Sequence, residues 1–408
     1  MGRGASAGEE ATVTELRVGV VGVGARSPLA VLAESSPVPA RLVAAADPAN
    51  DRHQRARRFL PAGVEVVSDY RELAEAGRSG LDAVVVTTPD DTHEEVACAF
   101  LRAGVPVYLE KPLAVSLKGA DRVLEVARRS GTRLYVGHNM RHMAVVRLLK
   151  DVVDRGEIGE PKAVWCRHFV GNGGDYYFRD WHAERARTTG LLLQKAAHDI
   201  DVIHWIAGST TRRVVGMGDL MVYGAGERRP HGASPGTVMG DWFSHDHWPP
   251  DALTGLNPVI DVEDLSMVLM TLRNGVMASY QQCHFTPDYW RSYTVIGTRG
   301  RAENFGDGAG GVVRVWTRRS GYSEHGSAEY PITEEGTGHD SADQRTMDEF
   351  LRFVRDGGST QTSPVGARDA VATGALATES LRSGSVPRDV PRVEERVAAY
   401  FEGGQRRG

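Results

Sequence analysis

The sequence predicts two domains of different class: an α/β domain with a doubly wound parallel sheet, followed by an α+β domain with a large, open, mostly antiparallel sheet. The length of 408 residues exceeds what one hydrophobic core usually organises. Up to about residue 141, short β-branched runs alternate with helix-like stretches, which is typical of βαβ units. Beyond that point several strand-like runs follow one another directly, which is typical of an antiparallel sheet.

The alternation predicts six strands in the first domain, several of them continuous apolar runs, as in a sheet covered on both faces. These runs are RVGVV, RLVAAA, VEVV, DAVVVTT, VPVYLE and RLYVG. We predict a disordered tail over residues 1–15, the first domain over 16–141, the second over 142–385 and a C-terminal tail over 386–408. Residues 223–258, rich in Gly, Pro and His, are predicted to form an insertion or lid.

Composition excludes several classes of protein. The formal net charge is −5 with both signs interspersed, which argues against a nucleic-acid partner. No apolar run reaches the length of a membrane span, and the first fifteen residues lack the features of a secretory signal. Cys98, Cys166 and Cys283 are widely spaced, so neither a disulfide framework nor a cysteine zinc site is expected, and the predicted location is the cytoplasm.

The first strand ends in a glycine-rich turn of the kind that lets backbone N–H groups approach a pyrophosphate in Rossmann domains. The turn reads Gly22-Val23-Gly24-Ala25-Arg26-Ser27. Asp47 ends the second strand, where an acid binds the adenosine ribose and repels a 2′-phosphate, so we predict NAD, with NADP less favoured. The alternatives are a plain strand-to-helix turn and, for Asp47, a helix N-cap ahead of residues 49–60. Thr88 and Pro89 follow the fourth strand at the ligand-binding edge.

Together with later motifs, this turn resembles the Gfo/Idh/MocA family of oxidoreductases, named after glucose–fructose oxidoreductase, inositol dehydrogenase and a rhizopine catabolism protein. The Glu110-Lys111-Pro112 element is its most specific single piece. The resemblance covers nearly the whole chain and is carried, in family order, by VGVVGVGARS, AAADP, VVVTTPDDTHEEVACAFLRAGVPVYLEKPLA, YVGHNMR, GLLLQKAAHDIDVIHW and YTVIGTRGRAE.

The resemblance implies reversible hydride transfer between a nicotinamide and the hydroxyl carbon of a sugar, cyclitol or related polyol, in a cleft between the domains. Lys111 then lies beside the substrate hydroxyl and the nicotinamide ribose, as both a catalytic and a cofactor-binding residue. His93 and Glu110 join the predicted cofactor-binding residues. A positioned acid/base group is needed because the proton of the hydroxyl must be handled by the protein. The alternative for Lys111 is a surface salt bridge.

The run LLLQKAAHDIDVIHW predicts a helix on which Gln194 and His198 lie one turn apart and face the same way. Many relatives carry an Asp at the position of Gln194, paired with the His. An amide cannot take a proton, so we predict His198 as the second catalytic residue and Gln194 as substrate-binding. The alternative for His198 is a core histidine. Lys195 is also assigned to the substrate, although it points about 100° away on an ideal helix and a structural or cofactor-facing role stays open. Asp199 and Asp201 either orient neighbours or are solvated.

Other polar groups are predicted near the cleft. Asn139 and Arg141 lie in the hinge that approaches the nicotinamide in the family, with a hinge cap and a surface salt bridge as alternatives. The residues before the predicted helix are aromatic and polar and suit the CH faces and hydroxyls of a sugar, although a packed loop is equally consistent: Tyr176, Tyr177, Arg179, Asp180, Trp181 and His182. Of these, we select Tyr176 and Trp181 as substrate-binding. No metal site is predicted, since three insertion histidines lack a ligand spacing: His231, His245 and His247.

Two further functions stay open at this point. One is a glycoside-cleaving or epimerising enzyme that oxidises its substrate transiently with tightly held NAD. The other is a non-catalytic, nucleotide-sensing regulatory protein, which the presence of both Lys111 and His198 disfavours. Apolar residues at alternate positions predict an exposed sheet face and a homodimer or homotetramer: Met267, Leu269 and Val276.

Overall fold

The structure, a computed structural model, describes residues 14–76, 80–236, 239–333 and 340–406. The predicted N-terminal tail lies outside these residues except for its last two positions. In the first domain, six parallel strands are ordered β3-β2-β1-β4-β5-β6, the order of a Rossmann domain, and all six strand predictions are confirmed. The strands are β1 (Leu16–Val21), β2 (Ala40–Ala46), β3 (Glu65–Val67), β4 (Ala83–Val86), β5 (Val107–Leu109) and β6 (Leu134–Val136).

Helices connect these strands and cover the sheet. The helix after β1 is short. Pro28 begins it, and a 3₁₀ turn follows after one turn of α-helix. The helix after β2 begins at Arg52, so Asp47 is not its N-cap. The helices are α1 (Pro28–Val31), α2 (Arg52–Phe59), α3 (Tyr70–Ala76), α4 (His93–Ala103) and α5 (Leu117–Ser130).

The second domain contains a nine-stranded sheet in the order β14-β13-β12-β11-β7-β10-β9-β8-β15. Among the described strands, β7 and β10 form its one parallel pair, so the predicted mostly antiparallel sheet is confirmed. The strands are β7 (Pro161–Val170), β8 (Thr211–Asp219), β9 (Leu265–Leu272), β10 (Met277–Cys283), β11 (Tyr289–Gly297), β12 (Arg301–Phe305), β13 (Val312–Trp316), β14 (Ala328–Pro331) and β15 (Arg388–Asp389).

Helices of the second half cover one face of this sheet and reach back to the first domain. None of the described helices is both long and apolar enough to cross a membrane. The helices are α6 (Ala144–Asp154), α7 (Gly173–Tyr176), α8 (Arg185–Thr188), α9 (Leu191–Gln194), α10 (Ala196–Ala207), α11 (Asp340–Asp356), α12 (Pro364–Arg382) and α13 (Glu395–Glu402).

Helix α11 belongs by packing to the first sheet, although it comes more than 200 residues after β6. Met347, Phe350 and Leu351 share one helix face and are fully buried against strand residues such as Val20 and Tyr108. Residues 386–408, expected as a tail, contain β15 and α13, and Phe401 of α13 packs into the core beside α5. The chain therefore returns to the first domain after building the second.

The uncovered face of the nine-stranded sheet carries exposed apolar side chains. Met267 and Leu269 are 48% and 65% exposed, as predicted from their alternation. Val276 was wrongly placed on this face. It precedes β10 and is 2% exposed in the core, while the next residue, Met277, is 66% exposed.

Candidate functional site

A cleft of about 780 Å³ runs along the carboxyl ends of the first sheet and continues between the domains. Most of the predicted site residues line it: Gly22, Gly24, Ala25, Arg26, Asp47, Thr88, Pro89, His93, Glu110, Lys111, Trp181 and Gln194. The predicted residues that lie outside its lining as the structure describes it include Ser27, Asn139, Arg141, Tyr176, Lys195 and His198.

The glycine-rich turn brings bare backbone to the cleft wall. Gly22 has a φ of +94°, and a Cβ there would lie 2.8 Å from Thr87 O and Thr88 N, so only glycine fits. Around Gly24 the space is open, with nothing within 4 Å of a Cβ. Ser27 is fully buried and donates its hydroxyl to Gly24 O at 2.7 Å, so it closes the turn from behind. The backbone is thus shaped to receive a bulky anionic group such as a pyrophosphate.

Asp47 fixes this turn to the end of β2. Its Oδ2 accepts the N–H of Val23 at 2.8 Å and its Oδ1 accepts the N–H of Ala49 at 2.8 Å. The side chain is nearly buried but lines the cleft. A carboxyl group therefore stands beside the glycine turn, held by two backbone donors.

Arg26 is held between two acids from distant parts of the chain. Its Nε donates to Glu110 Oε1 at 2.6 Å, and its two terminal nitrogens donate to Asp343 of α11, one of them at 2.8 Å. Burial disfavours the charge of Arg26, but these two carboxylates outweigh it and raise the Arg26 pKa well above its usual value. Asn139 donates to the same Asp343 at 2.6 Å, so the predicted hinge residue contacts this ion cluster rather than the open cleft.

Lys111 lies where β5 ends and the two domains face one another. Its Nζ donates to the backbone oxygen of Gln194 at 3.3 Å, and its own N–H donates to Glu110 Oε2 at 2.9 Å. The neighbouring His93 is buried, with its two ring nitrogens 2.7 Å from Pro112 O and 2.9 Å from Thr88 O. His93 therefore ties together the loops that present Lys111 and Pro89.

The second domain contributes an aromatic wall opposite Lys111. Tyr177, Trp181 and His182 line the cleft, and the Trp181 and His182 rings stack at 3.8 Å. Burial, together with Lys111 and Lys195, lowers the pKa of His182 to about 3, so this imidazole is neutral at physiological pH. A stacked aromatic surface beside a neutral hydrogen-bonding ring suits a polyhydroxylated ligand with apolar CH faces.

The predicted helix of the catalytic residues is interrupted. Helix α9 ends at Gln194, α10 begins at Ala196, and Lys195 between them has φ −93° and ψ −46°. Gln194 therefore lines the cleft while His198 is nearly buried, with its ring edge-on to that of His138 at 6.1 Å. Gln194 and His198 were predicted to face the same way on one helix, whereas only Gln194 lines the cleft here; the catalytic role of His198 stays a prediction.

Lys195 is buried behind the aromatic wall. Its Nζ lies 5.1 Å from the centre of the Tyr177 ring and 5.8 Å from that of Tyr289. Burial lowers its pKa, and the nearby charges of Arg291 and Lys111 add to this effect. Because Tyr177 itself lines the cleft, Lys195 supports the substrate wall from behind.

Asp199 and Asp201 are both buried, so the solvated alternative is wrong. Asp201 receives two hydrogen bonds from Arg141, at 2.6 and 2.7 Å, which commits Arg141 to the interior of the hinge. Asp199 accepts from Arg291 at 3.1 Å, from Tyr280 at 3.3 Å and from the hydroxyl of Tyr293. These acids fix α10 to the hinge and to the sheet.

The insertion, described over residues 223–236 and 239–258, forms part of the cleft wall beside the glycine-rich turn and α2. Met239, Asp241 and Trp242 line the cleft, and Asp241 accepts two hydrogen bonds from Arg58 of α2, at 2.8 and 2.9 Å. The base of the insertion is fixed by Asp264, whose carboxylate accepts three successive backbone N–H groups: Met221, Val222 and Tyr223. The insertion is thus a strap that runs from the second domain to the first.

The insertion histidines do not form a metal centre. His247 pairs with Asp175, and His245 packs edge-on against Phe243. Among the residues that the structure describes, no group of three or more His, Cys, Asp or Glu side chains is placed to hold a metal ion. The three cysteine thiols are free.

Asp90 escaped the sequence analysis, because it lies in a loop motif, TPDDTH, that was used only for Thr88 and Pro89. Tyr177 and His182 were named near the cleft, but Tyr176 was selected over Tyr177, since nothing in the run GGDYYF says which tyrosine faces the cleft. The structure places Tyr177 and His182 in the cleft lining and Tyr176 outside it. The stacking of His182 on Trp181 depends on tertiary structure.

Comparison with known proteins places this architecture in a family. Residues 16–138 match the family described as GFO_IDH_MocA, an oxidoreductase family with an NAD-binding Rossmann fold, and residues 146–303 match the GFO/IDH/MocA C-terminal domain. The chain belongs to the Gfo/Idh/MocA oxidoreductase family. The predicted fold class and the family resemblance are confirmed.

Curated relatives include inositol 2-dehydrogenase from Klebsiella pneumoniae strain 342, which is 33% identical over 201 residues, 49% of this chain and 56% of that protein. Inositol 2-dehydrogenase from Streptomyces avermitilis is 33% identical over 172 residues, 41% of this chain and 46% of that protein. The chain spans about half the length of the curated relatives it matches.

Solved structures share the fold over almost the whole chain. Levoglucosan dehydrogenase in complex with NADH and levoglucosan superimposes with a TM-score of 0.75 at 19% identity, covering 93% of this chain and 100% of that one. A putative myo-inositol dehydrogenase from Sinorhizobium meliloti gives a TM-score of 0.64 at 19% identity, covering 92% and 100%. At this identity the likeness concerns the fold.

Proposed function

We propose that this member of the Gfo/Idh/MocA family is an NAD-dependent dehydrogenase or reductase that acts on a CH–OH carbon of a sugar, cyclitol or related polyol. The observation that carries the proposal is the position of Lys111. Its ammonium lies in the cleft, 3.3 Å from Gln194 O, with the nucleotide-facing turns on one side and the Trp181–His182 wall on the other. A group so placed can hold a substrate hydroxyl where the two domains meet.

The residues of the cleft fit a dinucleotide. The space next to Gly22 would be filled by a Cβ, Gly24 faces open space, and Asp47 stands where a ribose would lie. When bound, NAD supplies the hydride acceptor or donor. The protein supplies the rest: Lys111 orients the substrate oxygen and stabilises negative charge on it, while the neutral ring of His182 can hydrogen-bond a second hydroxyl without repelling Lys111.

NAD is proposed over NADP because the charges beside the ribose end favour a neutral hydroxyl. Asp47 repels a 2′-phosphate. The two arginines that line this end of the cleft are already ion-paired, Arg55 with Asp51 at 2.9 Å and Arg58 with Asp241 at 2.8 Å. A phosphate would have to displace these carboxylates before it could be bound.

The names of the relatives support the substrate class. Inositol and levoglucosan are both polyhydroxylated rings, so the proteins named for them act on ligands of the kind that an aromatic wall and several hydrogen-bonding groups would suit. We therefore propose a ring-shaped or open-chain polyol as substrate. Which carbon is oxidised depends on how the ring lies on Trp181.

The test is a screen of polyols and sugars, including myo-inositol and levoglucosan, with NAD and separately with NADP, followed at the absorbance of the reduced nicotinamide. We expect at least one polyol to reduce NAD faster than NADP at equal concentration. If no polyol reduces either cofactor, the proposed dehydrogenase function is refuted. If NADH also fails to bind in a fluorescence titration, a regulatory function that depends on nucleotide binding is refuted as well.

A second candidate is favoured by the strap over the nucleotide end of the cleft. Contacts of Met239, Asp241 and Trp242 with a bound nucleotide would slow its release. An enzyme that oxidises its substrate transiently, to cleave a glycoside or invert a carbon, needs NAD to stay bound. Recovery of NAD from the purified protein, with product formation in the absence of net NADH, would favour this function over a simple dehydrogenase.

A further inference from the structure

Asp90 is an acid of the cleft to which no role has been given so far. It follows Pro89 at the carboxyl end of β4 and begins the 3₁₀ turn that leads into α4. The residue is 4% exposed and lines the cleft. Its Oδ2 has no hydrogen-bond partner among the described residues, which is uncommon for a buried carboxyl oxygen and points to a ligand atom that belongs there.

Two groups from opposite sides of the cleft converge on Asp90. Gln194, at the end of α9, and Lys111, at the end of β5, line the cleft together with Asp90, and both favour the charged form of its carboxyl. The Oε1 atom of Gln194 is also buried and without a partner in the part of the chain that the structure describes. Two unsatisfied acceptors beside an ammonium form a site for hydroxyl groups, since a hydroxyl both donates and accepts.

We propose that Asp90 is a catalytic residue, the proton acceptor for the substrate hydroxyl, in place of the carboxylate that many family members carry at the position of Gln194. The proposal rests on the proposed dehydrogenase function. The catalytic carboxylate then belongs to the loop after β4 of the first domain, whereas in those family members it belongs to the helix of the second domain. Gln194 then acts as a positioning residue that holds the Asp90 side chain by its amide.

In the direction of oxidation, the O–H bond of the substrate breaks and its proton goes to Asp90 Oδ2. The C–H bond of the carbon that bears this oxygen breaks, and its electron pair leaves as hydride to the nicotinamide of bound NAD. A C=O bond forms, and Lys111 stabilises the oxygen as charge develops on it. Asp90 then gives its proton to water. Reduction runs through the same atoms in reverse, with protonated Asp90 as the acid.

The surroundings of Asp90 suit this task. Burial raises its pKa to about 7, and Glu110 and Asp91 add to the shift, while the charge of Lys111 and the hydrogen bond of Gln194 oppose it. An acid/base group is most effective when its pKa lies near the working pH. Oxidation requires the carboxylate, so its rate should rise as the pH increases through about 7 and then level off. Reduction requires the carboxylic acid, so its rate should fall over the same range.

The first experiment measures the protonation of Asp90 without substrate or cofactor. Infrared difference spectra between wild-type protein and Asp90→Asn, recorded across a pH series, report the C=O stretch of this one carboxylic acid. We expect a protonated carboxyl band that disappears with a midpoint near pH 7. A midpoint near 4, the ordinary value for an exposed Asp, would overturn the proposal.

The second experiment is kinetic and uses any polyol that the wild-type enzyme oxidises. Asp90→Asn should lose at least about 100-fold in kcat and should lose the neutral limb of the pH profile, while NADH binding stays within about twofold. Asp69→Asn is the matched control, because Asp69 pairs with Arg71 and lies outside the cleft lining as described. It should retain wild-type kcat.

A swap of the carboxylate tests the relation to Gln194 directly. Gln194→Asp alone should lower kcat, because two carboxylates then repel each other in a buried site. The double variant Asp90→Asn/Gln194→Asp exchanges the amide and the acid between the two positions. It should recover at least about tenfold in kcat over Asp90→Asn, because the site again holds one carboxyl and one amide.

Three results would contradict Asp90 as the proton acceptor: a kcat of Asp90→Asn above a tenth of wild type, a neutral pH limb that survives in Asp90→Asn but disappears in His198→Ala, or no recovery in the double variant. Absence of polyol-dependent NAD reduction in the wild type refutes the proposed function and this role with it. A normal carboxyl titration in an active enzyme refutes the role of Asp90 alone.

Discussion

Arg26 and Asp343 form a two-bonded ion pair across 317 positions of the chain. Arg26 belongs to the glycine-rich turn after the first strand, and Asp343 belongs to the first turn of α11, near the end of the sequence. The same carboxylate accepts the side-chain amide of Asn139 at 2.6 Å. Helix α11 is therefore joined to the glycine-rich turn through Arg26 and to the hinge between the domains through Asn139.

We expect Asp343→Asn to lower the free energy of unfolding by about 1–2 kcal/mol, a figure discounted because the Arg26 side chain is 38% exposed. The remaining Glu110 still pairs with Arg26, which limits the loss. Asp356→Asn, at the exposed end of the same helix, is the control and should leave the free energy of unfolding unchanged. Urea unfolding followed by circular dichroism measures both, and equal effects would contradict a special role for the Arg26 pair.

Lys111→Ala should lower kcat at least about 100-fold, because the substrate oxygen loses the charge that stabilises it in the transition state. Binding of NADH and the thermal unfolding curve should stay close to wild type, since Lys111 makes one long side-chain hydrogen bond to the protein. Lys118→Ala, an exposed lysine on α5, is the matched control. Retention of more than about a tenth of wild-type kcat by Lys111→Ala would show that Lys111 is not a principal catalytic group.

Asp47→Ser should shift cofactor preference toward NADP. The carboxylate that would repel a 2′-phosphate is removed, while Arg55 and Arg58 keep their partners Asp51 and Asp241. We expect the ratio of NADPH to NADH dissociation constants to fall by at least about tenfold, which corresponds to about 1.4 kcal/mol. Fluorescence titration of both reduced cofactors gives the ratio. Tighter binding of NADPH than of NADH by the wild-type protein would contradict the proposed preference from the start.

The strands of the first domain and the motif residues of its loops were predictable, because local patterns determine them. A continuous apolar run such as that of β4 and a turn such as Gly22–Ser27 can be recognised without knowledge of the partner strand. The Glu110-Lys111-Pro112 element placed Lys111 in the cleft for the same reason.

Contacts between distant segments were not predictable. Asp343 and Asp90 reach the site through chain topology, and neither lies in a pattern that differs from an ordinary helix start or loop. His198 was assigned from the family resemblance and related to Gln194 by helical periodicity, but the helix is interrupted at Lys195 and His198 lies outside the cleft lining as described. The periodicity of an ideal helix predicts direction only where the helix is continuous.

The exposed face of the nine-stranded sheet should hold two copies of the chain together. Met217 of β8 lies beside Met267 of β9, and Leu269 follows two residues along on the same face, so their exposed side chains form one continuous apolar patch. Such a patch usually marks an interface. Leu269→Glu should therefore shift the molecular mass in light scattering toward that of the monomer at micromolar concentration.

The control for this face is Tyr322→Glu, at a side chain that is 94% exposed outside the described strands of the sheet. It should leave the molecular mass unchanged. A wild-type protein that is monomeric at micromolar concentration would refute the assembly, and an unchanged mass in Leu269→Glu would place the interface elsewhere.

The Arg58–Asp241 ion pair should slow the release of nucleotide by holding the strap against α2. Both side chains are nearly half exposed, so the pair adds little to stability, about 0–1 kcal/mol, and single substitutions should leave thermal unfolding unchanged. The pair should instead slow the dissociation of NADH, because the strap residues Met239 and Trp242 must move away from the cleft for the nucleotide to leave.

We expect Asp241→Ala to raise the rate of NADH release by about two- to fivefold, the factor that corresponds to an interaction of up to about 1 kcal/mol. Arg58→Ala should do the same, and the double variant should be no faster than either single one, because the two residues act through one contact. Stopped-flow fluorescence with excess unlabelled NAD measures the rates. Arg71→Ala is the control, since the exposed Arg71–Glu95 pair lies on the same domain but outside the cleft lining as described. Additive effects of Arg58→Ala and Asp241→Ala would mean that each side chain contacts the nucleotide separately, and that the strap is not held by their ion pair.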